Sequence, residues 1–221
     1  MRACKLSIAV LVTSVILAGS ASAALVTDVV TDSDAYLNGG GPAQNNNYGD
    51  RDKIQIRGGG APRHSLIFFD VSGIPDTIIG AELYVHLQQA EVAAKNIDVP
   101  QVAESWTELG VTWNSRDGVT NWTTPGGTFG ASMGTLVLPA NAAVDWYSVT
   151  LDASVVEGWR TGVNNGLGLT WDDGDSDITF FDSRENLSGL SPFLRVTYVP
   201  EPGALVLVVT GLAALIARKR R

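Results

Sequence analysis

Six tryptophans are the side chains with which this 221-residue chain could most readily do chemistry. A flat aromatic face stacks on the apolar side of a sugar ring, and nearby planar polar groups bond its hydroxyls. Trp122 lies in Asn121-Trp122-Thr123-Thr124-Pro125-Gly126-Gly127, a stretch of turn composition with no periodic apolar neighbour to bury it. The segment predicts a loop that presents Trp122 to solvent as a stacking platform. Trp106 and Trp113, inside Trp-Thr-Glu-Leu-Gly-Val-Thr-Trp, are expected to close the domain, and Trp159 to sit in its core.

Two further constellations stand out. Tyr84, His86 and Gln88 alternate with Leu83, Val85 and Leu87, so one strand would carry all three on a single polar face. That face could bond the hydroxyls of a glycan. With Arg57 or Arg63 beside it, the same set could abstract a proton and neutralise a carboxylate, as a lyase acting on acidic polysaccharide must. Asp172-Asp173-Gly174-Asp175-Ser176-Asp177 crowds four carboxylates into a turn. Asp173, Asp175 and Asp177 have the alternate spacing that aims oxygens at a structural calcium ion, although the glutamate that closes an EF-hand loop is missing. Solvent and salt relieve the same repulsion if the turn is exposed.

Charge narrows these readings. Between residues 24 and 199, nine bases face 22 acids, a balance of −13. Phosphate-backbone binding needs a basic footprint, so nucleic acid is a poor partner. The same field opposes a polyanionic lyase substrate unless a local basic groove overrides it. Neither His64 nor His86 accompanies a Gly-x-Ser-x-Gly elbow, which disfavours Ser-His-Asp hydrolysis. With two histidines and a single cysteine, Cys4, at the start of the chain, a zinc site is short of ligands and no disulfide can staple the domain.

The elements that must position these residues follow from composition and period. A chain 45% apolar and 17% charged has a globular balance, and 24 glycines favour turns and strands over helices. Period-two segments at 25–30, 53–57, 65–71, 81–88, 96–102, 135–138, 145–151, 166–171, 177–181 and 193–198 predict short strands. One helix is expected after Leu151, capped by Asp152, with Val155, Val156 and Trp159 as its apolar stripe and Gly162 as its stop. Many strands, one short helix and no long crossovers predict an all-β fold, an antiparallel β-sandwich of jelly-roll type.

The two ends read as addresses. Residues 1–23 combine Arg2 and Lys5 with an apolar run and Ala21-Ser22-Ala23, the features of a secretory signal helix removed by signal peptidase. The domain proper would span 24–199. In 200–221, Pro200-Glu201-Pro202 precedes an apolar helix over 204–217 and then Arg218-Lys219-Arg220-Arg221. That run is shorter than the ~20 residues of a stable span, but terminal cations would hold its end in the cytoplasm. The arrangement resembles the PEP-CTERM sorting signal of Gram-negative bacteria. The resemblance implies recognition by an exosortase, transient anchoring in the inner membrane, and export to the cell surface or extracellular matrix. A plain C-terminal membrane anchor is the alternative.

The middle also resembles a known family. Ala35-Tyr36-Leu37, Asn47-Tyr48-Gly49, Ser65-Leu66-Ile67-Phe68-Phe69-Asp70-Val71 and Glu104-Ser105-Trp106-Thr107-Glu108 come first. Gly110-Val111-Thr112-Trp113-Asn114, Phe181-Asp182-Ser183-Arg184-Glu185 and Pro192-Phe193-Leu194-Arg195-Val196 follow. Together they are similar, in order, to the DNRLRE domain, a family classed among carbohydrate-binding modules. The resemblance implies a jelly roll on secreted, polysaccharide-associated proteins. The expected function is therefore non-catalytic polysaccharide binding at the surface or in the matrix. A structural matrix protein without glycan affinity and a jelly-roll lyase are the alternatives.

Overall fold

The computed structural model describes residues 23–174 and 176–200. The expected signal helix, Asp175, and the sorting-signal residues Glu201, Pro202, Arg218, Lys219, Arg220 and Arg221 lie outside the described residues.

Alternation decides the layers. In β5 (Thr77–His86), Leu83 and Val85 are fully buried while Tyr84 and His86 on the other side stay partly exposed. The same split runs through β8 (Trp146–Leu151) and β11 (Phe193–Val199), while β1 (Leu25–Val30) alternates half-buried Thr27 and Val29 with exposed neighbours. These four make one antiparallel sheet in the order β1-β11-β5-β8. A second sheet has the order β2-β4-β9-β6-β7. Its strands are β2 (Ser33–Asn38), β4 (Arg63–Phe68), β6 (Lys95–Val102), β7 (Phe129–Leu138) and β9 (Leu167–Leu169). The pair β3 (Lys53–Ile56) and β10 (Thr179–Asp182) forms a short ladder of its own. The chain repeatedly crosses between sheets, and its first and last strands lie side by side, as in a jelly roll. Leu83, Val149 and Leu194 from the first sheet meet Ile67, Ile97 and Leu136 from the second in the main core.

The helix α1 (Ala153–Thr161) forms as expected. The Asp152 carboxylate accepts from Ser154 N at 2.9 Å, Val156 and Trp159 are buried, and Gly162 ends it. Glu157 then accepts from the backbone of Ile78 at 2.8 Å, which fastens the helix to β5.

A second core corrects one expectation. Leu66 and Ile67 are neighbours in β4 yet belong to different cores, so the second sheet is covered on both faces. The cover on its outer face is the excursion 103–128, whose Val111 and Trp122 meet Leu37, Leu66 and Val102. Trp106, Trp113 and Phe129 pack at the edge of this cluster. Trp122 is 4% exposed, and its indole N–H donates to Thr112 O at 3.0 Å. It is a core residue, not a solvent-facing platform, because the loop's turns fold it down onto the sheet. His64 of β4 holds the excursion in place: its Nδ1–H donates to Gly126 O at 2.7 Å, with the ring 5.0 Å from that of Trp113. Gly126 has φ +90°, and a Cβ there would meet the Trp113 ring at 2.6 Å, so only glycine fits.

Trp122→Ala should therefore destabilise the fold by about 3–5 kcal/mol. Val119→Ala, at a side chain 91% exposed in the same excursion, should stay within about 0.5 kcal/mol. Denaturant titration of the two variants checks the difference.

Candidate functional site

The outer face of the first sheet gathers the aromatic side chains that the inner face rejects. Val149, Leu151, Leu194 and Val196 point into the core, so Trp146, Ser148, Phe193 and Arg195 must point out. Register then sets Phe193 opposite Tyr84, Trp146 opposite His86, and Arg195 between Asp28 and Glu82. The rings of Tyr84 and Phe193 stack with centroids 4.7 Å apart and planes 5° from parallel. Trp146 meets Phe193 and His86 edgewise, at 5.1 and 5.2 Å. The Arg195 guanidinium lies 4.8 Å above the centre of the Tyr84 ring and makes two 2.8 Å bonds to the Asp28 carboxylate. That bonding holds Asp28 below the usual carboxylate range, while the hydrogen bond from Tyr84 to Glu82 raises the phenol.

His86 and Gln88 direct their polar atoms to a buried carboxylate instead of solvent. Asp182, 3% exposed at the end of β10, accepts from His86 Nδ1–H at 2.7 Å and from Gln88 Nε2 at 2.9 Å, and also from Asn186. Of the three residues expected to share one polar face, Tyr84 stacks within the aromatic cluster, His86 touches it through Trp146, and Gln88 contributes no ring to it. The lyase set is not assembled: Arg57 and Arg63 flank the β3–β4 hairpin at the other sheet, and His86 is committed to Asp182.

Trp146 and Phe193 line a cleft of about 650 Å³ together with Asp28, Arg184, Glu185 and Ser191. Arg184 is fixed in place. Its guanidinium bonds Glu108 at 2.9 Å, Glu185 at 2.7 Å and Asp32 O at 2.6 Å. Its backbone N–H donates to Asp34 Oδ2 at 2.8 Å. Asp34 is 1% exposed, and burial above all, helped by the charges of Glu185 and Glu108, pushes its carboxyl up to about 7.

A second surface lies at the β3–β4 hairpin. Tyr36 and Tyr48 stack at 4.3 Å, Arg63 sits 5.9 Å over Tyr36 and Arg51 5.9 Å over Tyr48. Arg57 and Arg63 face each other across the hairpin, and Arg63 donates to Gln55. Among the described residues neither has a carboxylate at ion-pair distance, and the Nε of each is buried without a hydrogen-bond partner. Of the aspartate-rich turn, Asp173 and Asp177 are exposed, and among the described residues no three metal-ligating side chains converge.

Sequence did not single out Trp146, Phe193 or Arg195 as site residues, although the alternation of β8 and β11 points them outward. Residues 26–198 match carbohydrate-binding module family 96, and the chain belongs to that family. No curated protein shows significant similarity to it.

The Asp34 carboxyl gives the fold a pH dependence of known sign. Its pKa lies above the ordinary 3.8, so the folded chain holds the proton more tightly than the unfolded one. The resulting stabilisation is complete below pH 3.8 and is lost as pH rises through about 7. Asp34→Asn removes that loss while Glu108, Glu185 and Arg184 still face the position. The melting temperature of the variant minus that of the wild type should thus grow from pH 5 to pH 8, by roughly 2–4 °C for each kcal/mol relieved. A difference that does not change with pH contradicts the assignment.

Proposed function

We propose that the chain is a non-catalytic polysaccharide-binding module that holds its ligand in the Trp146–Phe193 cleft. One observation carries this reading: an aromatic cluster left partly exposed on a rigid sheet coincides with a cleft edged by hydrogen-bonding groups. A sugar ring stacks on Trp146, and its hydroxyls donate to Asp28 and Glu185 or exchange bonds with Ser191. The cations beside the cleft are already neutralised, Arg195 by Asp28 and Arg184 by Glu108 and Glu185. Recognition then rests on stacking and on hydrogen bonds from uncharged hydroxyls, with no net ion pair to the ligand, so salt changes it little.

The ends of the sequence support a location for this activity. A signal helix over 1–23, removed by signal peptidase, starts export. A PEP-CTERM-like segment over 200–221, recognised by an exosortase, gives transient anchoring in the inner membrane and release to the cell surface or extracellular matrix.

The Arg57 and Arg63 guanidinium groups, which among the described residues have no carboxylate at ion-pair distance, favour a second reading, in which the hairpin surface takes a carboxylate or sulfate of an acidic polysaccharide. Such binding is strongly weakened by salt. Affinity electrophoresis of the full-length chain through neutral and acidic polysaccharides separates the two. On the first reading Trp146→Ala weakens retention roughly tenfold, the worth of one stacking contact. Arg57→Gln and Arg63→Gln then have little effect, and salt changes retention little. Loss in the arginine variants together with steep salt dependence supports the second reading. Retention by no polysaccharide supports a purely structural matrix protein.

A further inference from the structure

Thr31 lines the cleft described above, and its neighbour Asp32 lines another, of about 310 Å³. Consecutive Cα atoms are ~3.8 Å apart, so the two clefts share a wall one residue thick. Arg184 reinforces that wall, because it lines the first cleft and donates to Asp32 O at 2.6 Å. The second cleft has its own aromatic walls, Trp106 and Phe68. The Trp106 indole is fixed from behind: its N–H donates to Asn165 O at 2.9 Å and its ring packs against the second core, while part of it stays exposed. Asn164 is pinned by bonds to Phe69 O at 2.8 Å and from Gly166 N at 3.0 Å. Asp32, Ser33 and Ser105 at the rim offer a carboxylate and two hydroxyls. The size is at the lower end of the roughly 300–1,000 Å³ typical of small-molecule sites, suited to one ring rather than several.

We propose that this cleft is a second sugar subsite, taking another ring of the polysaccharide chain whose first ring stacks on Trp146. The inference rests on the cleft reading above and extends it: the module grips a chain at two points and so favours long ligands over short ones. Once one ring is bound, the second binding event is intramolecular and gains from high effective concentration.

Trp106→Ala would endanger the second core, so rim variants make the test. Ser105→Trp fills the cleft from an exposed position, and Asp32→Ala removes an exposed carboxylate. Titration calorimetry of the full-length protein would use the polysaccharide that the wild type retains and a disaccharide cut from it. Both rim variants should lose roughly tenfold in affinity for the long chain, about 1.4 kcal/mol, and keep their affinity for the disaccharide. Trp146→Ala should lose both. Long-chain affinity kept within about twofold in the rim variants, while Trp146→Ala loses it, overturns the second subsite and leaves the first cleft standing. An equal loss for chain and disaccharide also overturns it, since one site would then be doing all the binding. A wild type that binds no polysaccharide overturns both readings together.

Discussion

A single buried carboxylate holds the site together. Asp182 is almost wholly removed from water, which is costly for a charge unless donors surround it, and here three side chains supply them. His86 comes from β5, Gln88 from the segment beyond it, and Asn186 from the turn that follows Asp182. The carboxylate thereby ties the short β3–β10 ladder to the end of β5 in the aromatic sheet. The next residues extend the tie: Ser183 donates its backbone N–H to Asp52 O and its hydroxyl to Arg51 O, and Arg184 reaches Asp32, Asp34 and Glu108. Without this turn neither cleft would have the wall that they share.

Burial on both faces of the second sheet explains why the broad aromatic face lies on the first sheet, while on the covered side Trp106 stays partly exposed at the edge. The excursion 103–128 spends three tryptophans, Trp106, Trp113 and Trp122, on covering that sheet. The first sheet has no such cover, so Tyr84, Trp146 and Phe193 remain at its surface, braced by Arg195 and by one another. Large, rigid aromatic groups that lose little freedom on contact suit the stacking that carbohydrate recognition needs.

Much of this was legible in the sequence, and the failures have physical causes. Strands with one buried face announce themselves by alternation, as β8 and β11 did, and the helix after Leu151 carried its own cap and stop. The strand β2 did not, because both its faces are buried, one against polar groups, so Ser-Asp-Ala-Tyr-Leu-Asn reads like turn sequence. Trp122 misled for a related reason: local composition marks a loop but does not reveal that the loop lies on a sheet. His86 follows the alternation of Tyr84 in β5, but Asp182, which holds both His86 and Gln88, is 94 or more residues away in sequence, beyond the reach of local pattern. Trp146 was within reach, since the buried Val149 and Leu151 force it outward.

On this reading the partly exposed tryptophan of the first sheet, not the buried one of the excursion, touches sugar. Assigned indole N–H resonances, followed during titration with oligosaccharides of a retained polysaccharide, test it directly. The account predicts a saturable shift of the Trp146 resonance while those of Trp122 and Trp159 stay in place. A titration that moves Trp122 or Trp159 and leaves Trp146 unmoved would contradict it.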